Sequence, residues 1–215
     1  NKVQLRSTIS NFRREKKAFP VVLKGIYAIT DVADLTYTIQ QQVSIALQNA
    51  GIEISTKTDF ESAIQILQNG TLDSFFEELL STNHQLISSL ERHETKVLRI
   101  IVDELKKTGL GGFRTHNIIE WLTEIKKELS DRKIADYLLI MWDEFTSLLD
   151  IPARRSILNV MQDIAELSKT EIKNGTDTIG VYLLLVTHKR LEQTESYKDL
   201  KEDERNMAKA RFIEL

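Results

Sequence analysis

The 215-residue sequence contains no cysteine, only two prolines and eight glycines. Without cysteine, neither a disulfide framework nor a thiolate zinc site can form, and the composition suits a reducing cytosol. The scarcity of proline and glycine favours long helices over a turn-rich all-β fold. The sequence also has no run of about 18 apolar residues that would span a membrane. We therefore expect a helix-rich cytoplasmic protein that does not bind or cross a membrane.

The sequence begins Asn1-Lys2-Val3 and has neither an initiator methionine nor the apolar stretch of a signal peptide. We therefore expect it to be a piece of a longer polypeptide. Hydrophobic residues make up 41% and charged residues 28% of the chain, which excludes wholesale disorder. A chain of this length can bury a sizeable core without disulfides or structural metals.

Charge is distributed unevenly along the chain. Its net charge is −3, but residues 1–17 carry six Lys or Arg against one Glu, so the remainder is strongly acidic. A basic segment of this kind either forms a solvated helix face or contacts the phosphates of a nucleic acid. Single-strand binding would favour aromatic residues that stack on the bases, and no series of such residues alternates with the basic ones here. Nucleic acid therefore stays open as a partner.

Four apolar runs are predicted as strands: Val21–Ile29, Tyr137–Trp142, Val181–Val186 and the short Phe212–Leu215. Continuous apolar runs separated by helical segments indicate parallel strands that are covered on both faces. The alternation of strands and helices predicts an α/β fold, with helices sandwiching a parallel sheet.

Sequence signals mark the ends of two early helices. Asp34 is predicted to cap a helix whose apolar residues recur every four positions, and Gly51 is predicted to end it. Thr58 and Glu61 have the spacing of a capping box at the start of the next helix.

The later helices are predicted from their apolar spacing. Residues Asp73–Lys107 form a long glycine-free stretch, predicted as one helix that bends near Ser81–Asn83. Thr115 is predicted to open another helix. Asp150 and Pro152 occupy cap and first-turn positions of a third helix.

The order of these elements predicts three segments. Residues 1–55 form the first part of an α/β core, residues 56–130 a helical insertion, and residues 131–215 the second part of the core. The insertion lies between the first two predicted strands.

Two adjacent carboxylates, Asp143 and Glu144, follow the strand Tyr137–Trp142. They are predicted to lie at the carboxyl edge of the sheet, where α/β folds bind ligands. Burying two adjacent acids is unfavourable unless a cation or a water network compensates. Alternatively, Asp143 caps the following turn and Glu144 points to solvent.

Three features in the same chain order resemble the AAA+ branch of P-loop NTPases. Leu138–Glu144 resembles the Walker B strand, Thr187 resembles sensor 1, and Ala210-Arg211-Phe212 resembles an arginine finger followed by a strand. The resemblance covers about Val21 to Leu215. Within this group the chain most resembles the large ATPases of bacterial anti-phage defence, such as those of bacteriophage-exclusion loci.

The resemblance implies ATP and Mg²⁺ as cofactors, and the hydrolysis of ATP to drive assembly or remodelling. By this resemblance Asp143 holds the metal, Glu144 is the base and Thr187 is the sensor; Asp143, Glu144 and Thr187 together contact the cofactors. Arg211, or else Arg205, is the finger that reaches a neighbouring subunit, which implies a homo-oligomer. Each arginine is equally compatible with a surface position.

One motif of the family is absent from these residues. No Gly-x-x-x-x-Gly-Lys-[Ser/Thr] phosphate loop occurs, and Gly109–Gly112 is followed by Phe113-Arg114 without the required lysine. By the resemblance, residues 1–17 correspond to the end of the first helix, and the phosphate loop lies upstream. We expect this chain by itself not to act as an autonomous ATPase. The alternative function is a non-hydrolysing NTPase-like scaffold whose insertion, residues 56–130, binds a protein partner.

Overall fold

The computed structural model of the chain describes residues 17–24, 27–69, 83–107, 115–145, 148, 151–167, 180–186, 198, 202 and 205. These residues contain three strands and six helices. Their order is β1 (Ala18–Leu23), α1 (Val32–Asn49), α2 (Asp59–Gln68), α3 (Asn83–Glu91), α4 (Thr95–Lys107), α5 (Ile118–Asp131), β2 (Tyr137–Asp143), α6 (Arg154–Glu166) and β3 (Gly180–Val186). None of these helices is both long and apolar enough to cross a membrane.

The three strands form one parallel sheet in the order β1-β2-β3. Leu23 pairs with Trp142 near the carboxyl end of β1, and Asp143 pairs with Val186 at the end of β2 and β3. The prediction of an α/β fold with a parallel sheet is therefore confirmed. The predicted fourth strand, Phe212–Leu215, lies outside the described residues.

The first strand differs from its prediction at both ends. It covers Ala18–Leu23 rather than Val21–Ile29, and residues 27–30 are not part of the sheet. The chain turns at Tyr27, whose carbonyl accepts a hydrogen bond from the Ile29 N–H at 2.8 Å. Within the described part of the chain β1 pairs only with β2, and a proline such as Pro20 is tolerated in a strand at the edge of a sheet.

The two faces of the sheet differ in their burial. Side chains alternate along β1 and β2, so that one face carries the fully buried Val21, Leu138 and Ile140. On the opposite face Val22 and Leu184 are 40% and 41% exposed. The prediction that both faces are fully covered is wrong at these positions. An apolar run is compatible with one buried face, and the run alone does not distinguish the two cases.

The chain divides into two compact units. The first combines residues 1–32 with residues 125–215, and the second consists of residues 33–124. The first unit contains the sheet and α6, which packs against β3. The second is helical, and its core consists of apolar residues from α1 to α4. The core residues are Tyr37, Phe60, Ala63, Leu67, Leu90, Leu98, Ile101, Val102 and Leu105.

The predicted helix starts are partly correct. Thr58 and Glu61 form the predicted capping box: Thr58 Oγ1 accepts from the Glu61 N–H, and the Glu61 carboxylate accepts from the Thr58 N–H. Asp34 does not cap its helix, because α1 begins two residues earlier, at Val32. It lies in the first turn, and Arg99 pairs with its carboxylate at 2.7 Å.

Helices α5 and α6 each begin later than predicted. α5 starts at Ile118 rather than at Thr115, and the Asn117 side chain accepts a hydrogen bond from the Ile119 N–H at 2.9 Å. α6 starts at Arg154, two residues beyond Pro152.

Three helices end in the same hydrogen-bonded motif, with a left-handed residue just past the last turn. After α1 this residue is Gly51, as predicted, with φ +66°. After α3 and α5 it is His93 (φ 57°) and Lys133 (φ 54°). In each case two N–H groups bond back to carbonyls of the last turn, which is the Schellman arrangement. The chain therefore breaks at His93, and the prediction of one helix through Lys107 is wrong there.

Candidate functional site

The candidate site lies at the carboxyl end of β2, the central strand of the described sheet. The alternation of β2 buries Leu138, Ile140 and Trp142 and leaves Asp143 partly exposed as the last residue of the strand. Asp143 pairs with Val186 of β3. The two acids predicted from the sequence therefore lie together at the edge of a parallel sheet where such folds bind ligands.

Asp143 is held at the end of the strand and engages other groups of the protein. One of its carboxylate oxygens, Oδ1, is buried and has no hydrogen bond among the residues that the structure describes. Mg²⁺ prefers oxygen ligands and typically takes one or two protein carboxylates together with phosphate oxygens and water. Among the residues that the structure describes, no three acids or histidines are grouped closely enough to hold a metal ion, so Mg²⁺ at Asp143 stays a prediction.

Glu144 has a backbone conformation that is unusual for its residue type. Its φ is +60°, in the left-handed region, and its N–H donates to the Val186 carbonyl at 3.1 Å. This conformation costs an L-residue roughly 1–2 kcal/mol. The turn thus directs the chain abruptly away from β2 while keeping it attached to the end of β3.

The residues on both sides of Glu144 are firmly packed. Trp142 is 1% exposed before the turn, and Phe145 and Leu148 are 2% and 1% exposed after it. Large apolar side chains thus anchor the chain before and after a partly exposed acid. The sequence Trp-Asp-Glu-Phe produces this arrangement because two buried aromatic residues enclose two acids.

Trp142 also supports the loop that follows β1. Its ring makes an edge-to-face contact with Tyr27, with 5.8 Å between the ring centroids. The Tyr27 hydroxyl oxygen accepts a hydrogen bond from the Lys24 backbone N–H at 3.0 Å. Burial raises the pKa of Tyr27 above its ordinary value of 10.0, against a smaller opposite effect of the Lys24 N–H. Tyr27 is therefore neutral at physiological pH and fixes the backbone at Lys24.

The remaining predicted site residues are not all within the described residues. Thr187 and Arg211 lie outside them, although Thr187 directly follows Val186, which is bonded to Glu144. Arg205 is exposed, and its guanidinium donates to the carbonyl of Lys198, in its own segment. The structure therefore places Asp143 and Glu144 at the end of β2, and the roles of all the predicted site residues stay predictions.

Sequence reasoning missed two residues at this edge, Lys24 and Tyr27. The predicted strand extended through Lys24 to Ile29, which assigned Tyr27 to the sheet. The signal that was available is the lysine within an otherwise apolar run. A charged residue in such a run marks the end of a buried strand as effectively as Asp143 does in β2.

The helical unit contains a separate buried polar cluster. Asp59 and Gln40 are both fully buried, and the Gln40 side-chain oxygen accepts from the Asp59 N–H at 3.1 Å. Asp59 Oδ1 accepts from the His116 N–H at 3.0 Å and lies 2.6 Å from His116 Nδ1. These bonds join α1, the start of α2 and the residues before α5. Holding these elements together is enough to explain why the polar cluster is buried.

Comparisons with protein-family models, with curated proteins and with solved structures give no match for this chain.

Proposed function

We propose that this chain is part of an AAA+-type ATPase that hydrolyses ATP with Mg²⁺ to drive assembly or remodelling. The observation that carries the proposal is the pair Asp143 and Glu144 at the carboxyl end of the central strand. The left-handed backbone conformation of Glu144 is a second observation that supports the proposal. Backbone strain in a non-glycine residue concentrates at functional sites, where the surrounding structure holds it in place.

The two acids have different roles in this proposal. Asp143, at the last position of the strand, would hold the metal ion. Glu144, one residue beyond the sheet, would orient and deprotonate the attacking water. Bound Mg²⁺ would neutralise charge on the β- and γ-phosphates. The hydrogen bond from the Glu144 N–H to Val186 supports this assignment, because it fixes the base relative to the end of β3.

The wider proposal follows the resemblance of the sequence. Thr187 would sense the γ-phosphate, and Arg211 or Arg205 would act on a neighbouring subunit in a homo-oligomer. A protein partner would bind the helical insertion. Nucleic acid stays an open partner for the basic residues 1–17, whose alternative role is a solvated helix face. We propose anti-phage defence as the pathway.

The test is steady-state ATP hydrolysis by the longest natural polypeptide that contains these residues. Glu144→Gln should lower turnover by about 10²–10⁴-fold, the usual cost of losing a general base, while nucleotide binding persists. Glu166→Gln is the matched control: Glu166 is an exposed acid in α6, and its carboxylate accepts a hydrogen bond from the Gln162 side chain, one turn earlier in the same helix. This control should hydrolyse ATP at the rate of the unsubstituted protein.

The opposite outcome is equally informative. If the unsubstituted protein binds no nucleotide and Glu144→Gln changes nothing, the acids are structural. Function would then have to be sought in the alternative, a scaffold that binds a protein through residues 56–130. The separate apolar core of the helical unit is compatible with such a role.

A further inference from the structure

Lys24 stands at the carboxyl end of β1, beside the proposed nucleotide site. The last pair between the two strands is Leu23 with Trp142, and Lys24 and Asp143 are the residues that directly follow this pair on the two chains. Neighbouring strands lie about 4.8 Å apart. Lys24 is exposed, and its backbone is fixed by the hydrogen bond from its N–H to Tyr27, which packs on Trp142.

This position matters because the other charged residues that the structure describes at the carboxyl ends of the three strands, Asp143 and Glu144, are both acidic. Asp143 and Glu144 together repel the polyphosphate of a nucleotide, and one divalent metal compensates only part of the combined charge. A lysine ammonium is a compact point charge on a flexible stem and a common ligand of phosphate. Of the residues that the structure describes at the ends of the three strands, Lys24 supplies this charge.

We propose that Lys24 binds a phosphate group of the nucleotide at this site. The inference rests on the proposed function, since it assigns a further binding residue to the same site. Lys24 belongs to β1, whereas the predicted roles fall on β2, β3 and the arginines. The site would therefore use the ends of all three described strands.

The chain provides a matched control at the other end of the same strand. Lys17 precedes β1 as Lys24 follows it, and both lysines are exposed. Lys17 is at the amino edge of the sheet, where its N–H donates to Asp136 at 2.5 Å. Methionine in either position keeps the aliphatic stem and the backbone hydrogen bond and removes only the charge.

The experiment measures equilibrium binding of MgADP and of adenosine by calorimetry, in the longest natural polypeptide that contains these residues. Lys24→Met should weaken MgADP binding about tenfold, the usual magnitude for a hydrogen bond to a charged group, and leave adenosine binding unchanged. Lys17→Met should bind both ligands like the unsubstituted protein. Lys24→Arg, which keeps the charge, should retain most of the affinity for MgADP.

Each contrary result has a distinct meaning. If the unsubstituted protein binds MgADP and Lys24→Met binds it equally tightly, the role of Lys24 is refuted while the proposed function stands. Equal weakening of adenosine binding, or equal weakening by Lys17→Met, would also refute a direct phosphate contact. If the unsubstituted protein binds neither ligand, the proposed function fails and the role of Lys24 fails with it.

Discussion

The left-handed backbone at Glu144 predicts that this position limits stability. Its φ of +60° costs a residue with a β-carbon roughly 1–2 kcal/mol, and glycine adopts it without that cost. Glycine also loses more conformational freedom on folding, which offsets part of the gain. We therefore expect Glu144→Gly to raise the free energy of unfolding by about 1 kcal/mol, or Tm by about 2–4 °C for a chain of this size.

Glu144→Ala separates the backbone from the side chain in this experiment. Alanine and glycine both remove the carboxylate and its interactions, but only alanine keeps the β-carbon that the left-handed conformation disfavours. Urea unfolding, followed by circular dichroism, should give a higher free energy of unfolding for the glycine variant. If the two variants are equally stable, no conformational strain is stored at Glu144, and the argument that connects strain with function at this residue is refuted.

The remaining predictions concern the helical unit. Burial lowers the pKa of His93 below 6.5, partly opposed by Glu61, so the unfolded chain takes up the proton first. Stability should therefore fall as the pH drops below about 6.5. His93→Asn should flatten this dependence in urea titrations at pH 7.5 and pH 5.5, and an unchanged slope would contradict the assignment. Thr58→Ala should lower the free energy of unfolding by about 1 kcal/mol, because it removes the capping box. In the same urea assay it should cost more than Thr123→Ala, an exposed helix threonine, and equal losses would contradict the role of the cap.

Local sequence signals predicted much of the fold. Three strands were located because buried strands are continuous apolar runs, and their parallel order followed from the helices between them. Thr58 with Glu61 and the stop at Gly51 were also correct, because each depends on chemistry within one turn of a helix. These features need no information about distant parts of the chain.

The features that sequence reasoning missed depend on tertiary context. His93 and Lys133 end their helices in a conformation that glycine normally supplies, so no residue type marked those ends. β1 ends at Leu23 because Tyr27 turns back to contact Trp142, more than a hundred residues away along the chain. The same holds for the site. The acids at the end of β2 were predictable from the apolar strand before them, whereas Lys24 was missed because the first strand was predicted to continue to Ile29.

Glu144 differs from the other left-handed residues in what explains its conformation. At His93 and Lys133, two hydrogen bonds to the preceding helix accompany the turn and offset its cost. Glu144 follows a strand, where a left-handed residue satisfies no such helix end, and its N–H is bonded instead to Val186 of the neighbouring strand. Glycine would form the same backbone bond with less strain. What glutamate adds at this position is its carboxylate, next to Asp143 at the edge of the sheet. A gain of stability in Glu144→Gly, together with a loss of turnover in Glu144→Gln, would show that the side chain is kept for chemistry at the expense of the fold.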